Sequence, residues 1–151
     1  MNKLNSKLFY LDACGKFMVK PEIRERLLEI AETFKSYLAN DGLEINVVDI
    51  RLVGSNAGFD YNEFSDIDLH LVADLDCIGC DSAIVQVALN AEKTKFNSNL
   101  DISVKGIPVE LYVEDVKAGV NSNGIYSLCK RQFLLLTFFE DYETTSPRDN
   151  E

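Results

Sequence analysis

The sequence is poor in nitrogen and sulfur ligands for metals. It holds a single histidine, His70, and four cysteines, Cys14, Cys77, Cys80 and Cys129. Cys77 and Cys80 have the spacing of half a zinc site, but no second pair follows. The four therefore read as free thiols of a reducing compartment rather than as a zinc or redox site. No apolar run approaches the roughly 20 residues that cross a bilayer. Residues 1–10 scatter Asn, Ser and Lys among apolar residues, so they hold no signal-peptide core. A cytoplasmic protein with no membrane partner is expected. Positive charge is scarce too: 15 basic residues against 25 acidic ones give a net charge of −10. Such a surface repels a phosphate backbone and excludes a broad nucleic-acid footprint.

What is present is ordinary globular material. With 151 residues, 46% apolar and 26% charged, the chain suffices for one domain with a core and is too short for two. The expected division is one domain over 1–143 and a flexible polar tail over 144–151. Lys20-Pro21-Glu22 opens a helix whose apolar stripe is Ile23, Leu27, Ile30, Ala31, Phe34 and Leu38, stopped by Asn40-Asp41-Gly42. Residues 45–53 are β-branched and predict a strand. Residues 66–72 predict a second one, with Ile67, Leu69 and Leu71 on one face and Asp66, Asp68 and His70 on the other.

Residues 81–96 predict a helix capped by Asp81 or Ser82, burying Ile84, Val85, Ala88 and Ala91. Residues 100–105 and 108–113 read as a hairpin about Gly106-Ile107, the second strand alternating Val109, Leu111 and Val113 against Glu110 and Tyr112. A final helix is read over 130–142, with Phe133, Leu134, Leu135 and Leu136 as core or as a dimer contact. The sum is an α+β domain, a mixed β-sheet with helices packed on one side.

The informative stretch is Gly54-Ser55, ten residues, then Asp66-Ile67-Asp68. Two carboxylates one residue apart on a strand share a face and repel, raising each other's pKa. A hard divalent cation, magnesium or manganese, removes that conflict. Glu110, on the polar side of its own strand, opens onto the same face if the two strands are neighbours. Three carboxylates can hold two metals for phosphoryl transfer. Gly54 allows close backbone approach, Ser55 offers a hydroxyl, and N–H groups at a helix start can bind phosphates. On a solvated strand face Asp66 and Asp68 alone would mean nothing, and Gly-Ser is also common turn chemistry. His70 reads as a structural histidine, and Asp60, Glu63, Asp74 and Asp76 as solvated surface.

Gly54-Ser55, the x10 interval and Asp66-x-Asp68 with a later strand-borne acid resemble the signature of the DNA polymerase β-like nucleotidyltransferases. Lys20-Pro21-Glu22-Ile23-Arg24, Ser65 to His70, Val109 to Val113 and Gly124-Ile125-Tyr126-Ser127 are similar to small nucleotidyltransferases predicted in bacteriophage genomes. The resemblance implies a minimal nucleotidyltransferase domain, in host cytoplasm if phage-encoded. It implies that Asp66 and Asp68 bind both metals, that Glu110 binds the catalytic one and helps deprotonate an acceptor hydroxyl, and that Gly54 and Ser55 hold the β- and γ-phosphates. The donor is then a nucleoside triphosphate, ATP first. The acceptor is left open among a small molecule, a protein and an RNA end, and a homodimer or partner protein is compatible with the short chain. Unlike many small relatives, residues 56–65 carry no basic residue, which leaves Lys93, Lys105 and Lys130 as candidate phosphate cations. The alternative is an antitoxin-like, partner-binding module with little turnover.

Overall fold

Pro21–Asn40 forms the first helix, α1, and its buried residues are the six that the apolar spacing predicts. It ends at Gly42, whose φ of 83° lets Leu43 N–H reach Leu38 O and Gly42 N–H reach Ala39 O. The computed structural model describes residues 3–78, 81–99 and 101–139. Cys80, and with it the reading of Cys77 and Cys80 as a pair, lies outside the described residues, as does the tail over 144–151. Cys14 and Cys129 are free thiols.

Ahead of α1 stands a hairpin that the sequence does not advertise, β1 (Phe9–Leu11) paired with β2 (Phe17–Val19). Three-residue strands carry too little alternation to register as a pattern. Asp12 builds its turn, with Oδ1 accepting the N–H of Cys14 at 2.9 Å and of Lys16 at 2.8 Å.

The main sheet contains β3 (Val47–Val53), β4 (Ile67–Ala73), β5 (Ser103–Val104), β6 (Ile107–Asp115), β7 (Gly124–Ser127) and β8 (Gln132–Leu136). Their spatial order is β5-β6-β4-β3-β7-β8. β4 and β6 run parallel while the other pairs are antiparallel, so the sheet is mixed. A parallel pair needs a long crossover, and α2 (Ser82–Asn99) provides it. Asp81 is its cap, accepting Ala83 N–H on Oδ1 at 2.8 Å. Ile67, Leu69, Leu71, Leu52, Val109, Leu111 and Val113 form one core with the buried residues of both helices. Asp68, His70, Glu110 and Tyr112 alternate onto the opposite face, as period-two geometry requires.

Four expectations are corrected. In α2 the buried residues are Val85, Leu89 and Phe96, whereas Ile84 is 68% exposed. The reason is an edge contact: the Asn97 amide bonds both N–H and C=O of Leu111, and Gln86 Nε2 donates to Val113 O. Turning these amides onto the β6 edge rotates the apolar stripe with them, and it satisfies backbone groups that an open edge would leave bare. The β5–β6 turn is Lys105-Gly106, at φ 54° and 79°, so Ile107 starts the strand. Asp66 immediately precedes β4 rather than lying in it. Where a helix is read over 130–142, the described part carries β8, antiparallel to β7. A tight turn with Arg131 at φ 57° sends the chain back along β7, and four consecutive apolar residues suit either element.

Candidate functional site

The register brings together what the alternation patterns imply. Asp68 is the cross-strand partner of Glu110 on one side and of Val53 on the other. Parallel neighbours lie about 4.8 Å apart, so the two carboxylates start side by side on one face. Gly54 follows Val53 with φ 80° and ψ −169°. A Cβ built on Gly54 would run into the Asp68 carboxylate. Glycine is required there twice over, by its backbone angle and by the acid against it.

The loop from Gly54 to Asp66 is held by buried and part-buried polar bonds. Ser55–Ala57 makes one 3-10 turn. Asn56, 1% exposed, donates Nδ2 to Ser65 O at 2.8 Å and Asp66 O at 2.9 Å, and its Oδ1 accepts Asn5 Nδ2 at 2.9 Å. This clamp sets where Asp66 enters β4. Ser55 Oγ donates to Ser65 Oγ at 2.6 Å, and Gly54 N–H donates to Ser122 Oγ at 3.0 Å. The Gly54 N–H is thus committed to Ser122, whose own hydroxyl donates to Gly124 O at 2.7 Å. Gly124 lets β7 pass close to this loop, since a Cβ there would overlap the carbonyl of Ala57. Gly54, Ser55, Asp60, Asn121, Ser122 and Asn123 line a cavity of about 340 Å³. Asp60, read as plain surface, helps to wall it and accepts Asn123 Nδ2 at 3.1 Å.

A second cavity, of about 270 Å³, lies on the β6 side and is lined by Asp68, His70, Lys93, Glu110, Leu111 and Tyr112. Of the three candidate lysines, only Lys93 lines it; its Nζ stands 5.3 Å from the centre of the Tyr112 ring. Burial, and then the charges of Glu110 and Asp66, push the Asp68 carboxyl above its ordinary value, while His70 and Lys93 pull the other way.

His70 does hold a structural position. Its Nδ1 lies 3.0 Å from Glu114 Oε1. Glu114 Oε2 is 3.7 Å from Arg51, whose Nε donates to Asp49 Oδ2 at 2.8 Å. Asp49 also accepts Ser127 Oγ at 2.9 Å and Ile50 N–H at 2.8 Å. Burial would raise the Asp49 carboxyl, but the bonds from Arg51, Ser127, Cys129 and Ile50 together hold it below the usual range. This network escaped sequence reading, although alternation in β3 places Asp49 and Arg51 on the His70 side. Asn56 and Ser122 had no local signal, and nothing local set Lys93 apart from Lys105 and Lys130, because long-range packing alone gives them their places.

Among the described residues, no group of three His, Cys, Asp or Glu side chains stands together as a metal cage. The donor chemistry nevertheless fits a hard divalent cation. Asp68 and Glu110 are adjacent carboxylates, and the charge of Asp66 reaches Asp68. Burial and then repulsion lift the Asp68 carboxyl, and such a cation would remove the repulsive part. Asp66, Asp68 and Glu110 are thus brought to one end of β4 and β6 without being drawn into a single cluster, and Gly54 and Ser55 lie beside them. No protein-family model, curated protein or solved structure matches this chain.

Proposed function

We propose that this chain is a metal-dependent nucleotidyltransferase with the nucleotidyltransferase-like fold of the DNA polymerase β superfamily. It moves a nucleoside monophosphate from a nucleoside triphosphate, ATP first, to an acceptor hydroxyl. The observation that carries the reading is the placement of Gly54 against Asp68, with Glu110 as the next residue across the sheet. A magnesium or manganese pair held by Asp66, Asp68 and Glu110 would supply the positive charge that phosphoryl transfer needs. Gly54 lets the backbone pass directly beside the Asp68 carboxylate, so a cation held by Asp68 would lie within reach of phosphates in the neighbouring cavity. The cavity beside it is lined by neutral polar groups, the hydroxyls of Ser55 and Ser122, which donate to Ser65 Oγ and Gly124 O, and the amides of Asn121 and Asn123. Glu110 takes the acceptor proton as the acceptor oxygen bonds to the α-phosphorus. The bond from that phosphorus to its bridging oxygen breaks, and its electron pair leaves with pyrophosphate.

Transfer of label from α-labelled ATP, with cell lysate as acceptor source, tests the assignment. Glu110→Gln should lower transfer by about 10²–10⁴-fold while nucleotide binding largely persists. Asp68→Asn should damage both. A Glu110→Gln protein that transfers label at the wild-type rate removes Glu110 from the catalytic set.

One observation favours the partner-binding module. The edge strand β8 leaves Leu134 and Leu135 about two-fifths exposed, with Phe138 at 66% just beyond, and carries no charge or proline to blunt it. Clear nucleotide binding by wild type with no transfer under any condition moves the weight to that reading.

A further inference from the structure

Two cavities flank the carboxylates, and they differ in charge. On the β3–β7 side the lining holds hydroxyls, amides and the acid Asp60, with no cation. On the β4–β6 side it holds Lys93, with Tyr112, Leu111 and His70 completing the wall around Asp68 and Glu110. The strand order β6-β4-β3-β7 sets these cavities on opposite sides of Asp68. If phosphates of the donor occupy the cavity beside Gly54, the β6 side is what remains for the second substrate, and Glu110 borders it.

We infer that this second cavity receives the acceptor, and that the acceptor is a phosphorylated sugar whose hydroxyl meets Glu110 and whose phosphate meets Lys93. The inference rests on the nucleotidyltransferase reading for the role of the site, but the binding claim stands on the cavity itself. Its volume of about 270 Å³ equals roughly nine water volumes of ~30 Å³ each. That is room for one sugar-phosphate unit. Lys93 is a compact charge on a flexible stem. Its amine rests over the Tyr112 ring, a contact weak enough at a partly open site for a dianion to replace. The Tyr112 ring offers an apolar wall for the carbon face of a sugar, and the carboxylates of Asp68 and Glu110 in the same lining give the cavity a direction. A neutral sugar would make no use of the Lys93 charge.

The test is calorimetric titration of the full chain, with magnesium and a non-hydrolysable ATP analogue present. Ribose 5-phosphate and ribose are the probes, and the proteins are wild type, Lys93→Met and Lys93→Arg. Ribose 5-phosphate should bind wild type about ten-fold or more tighter than ribose, the worth of one charge-assisted contact. Lys93→Met should erase that preference and Lys93→Arg should keep most of it, with affinity for the ATP analogue unchanged in all three. Equal binding of both probes to wild type overturns the inference. So does a Lys93→Met protein that loses the ATP analogue while keeping the preference, which would make Lys93 a donor contact. Failure of the functional reading looks different: wild type would bind ribose 5-phosphate through Lys93 and no nucleotide at all. A short oligoribonucleotide then separates the sources of the sugar phosphate. If it displaces ribose 5-phosphate, an RNA end supplies it; if not, a free sugar phosphate does, and both results keep the anionic class.

Discussion

At the scale of single residues, Asp68 and Glu110 hold a repulsion that a bound cation would relieve. Adjacent carboxylates on neighbouring strands repel. Asp68→Asn should therefore raise the melting temperature in the absence of metal, and it should abolish the stabilisation that manganese gives wild type. A variant no more stable than wild type in chelator, and equally stabilised by manganese, would contradict both halves. Gly54→Ala is expected to act oppositely. Its positive φ costs about 1–3 kcal/mol for a residue with a Cβ, and that Cβ must also displace the Asp68 carboxylate. Denaturant melts and manganese titration should both register the change. Asp49 sets a pH dependence. Its folded pKa is held below the ordinary value, so its contribution is full above the unfolded pKa of about 3.9 and is lost as pH falls through the folded one. Asp49→Asn should cost about 1.5–3 kcal/mol at pH 7 and flatten the loss of stability below about pH 4. Parallel slopes for variant and wild type between pH 6 and pH 3 would take Asp49 out of the acid transition.

At the scale of elements, the parts legible in the sequence are those whose own pattern decides their fate. α1 and β4 show one buried side each, and every predicted buried residue in them is buried. β6 is equally clear because Val109, Leu111 and Val113 alternate without interruption. The pairing of β4 with β6 is a matter of topology, and no local pattern encodes it. The alternation of both strands said only that Asp68 and Glu110 would share a face if the strands met, and they do. α2 was misphased because its orientation depends on Asn97 and Gln86 finding the β6 edge. β8 was misread because an apolar run reads equally as helix or strand until β7 is there to pair with it. Asn56 belongs to the same class: a buried amide in a loop whose bonds span 9 to 51 residues of sequence. Asn56→Ala should strand two carbonyls and one amide, costing about 1–3 kcal/mol for each buried group left unpaired. Manganese affinity should fall with it, because the clamp fixes the backbone of Asp66. If Asn56→Ala destabilises the fold but leaves manganese affinity intact, the loop positions nothing in the site.

At the scale of the molecule, a net charge of −10 decides in what form a phosphorylated ligand can approach. The candidate site adds Asp66, Asp68 and Glu110 to that field, and the Gly54 cavity adds Asp60. A bare nucleoside triphosphate meets repulsion at long range from the surface and at short range from the carboxylates. Bound divalent cations reverse the short-range part and leave the long-range part weakened by salt. Nucleotide binding should accordingly require magnesium or manganese. Ligand at 100 times its Kd stabilises the native state by about 2.7 kcal/mol. For a domain of this size each kcal/mol is worth about 2–4 °C, so ATP with magnesium should raise the melting temperature by about 5–10 °C. ATP with chelator should leave it unchanged, and duplex DNA should leave it unchanged with or without magnesium, since a net charge of −10 repels a phosphate backbone. A panel of the four ribonucleoside triphosphates, each with magnesium and with chelator, measures this by thermal shift. A rise in chelator would mean that the protein itself supplies the neutralising charge, with Lys93 the first residue to examine. No rise with any nucleotide and magnesium would remove the triphosphate from this site and leave the exposed edge of β8 as the chain's strongest remaining claim to a partner.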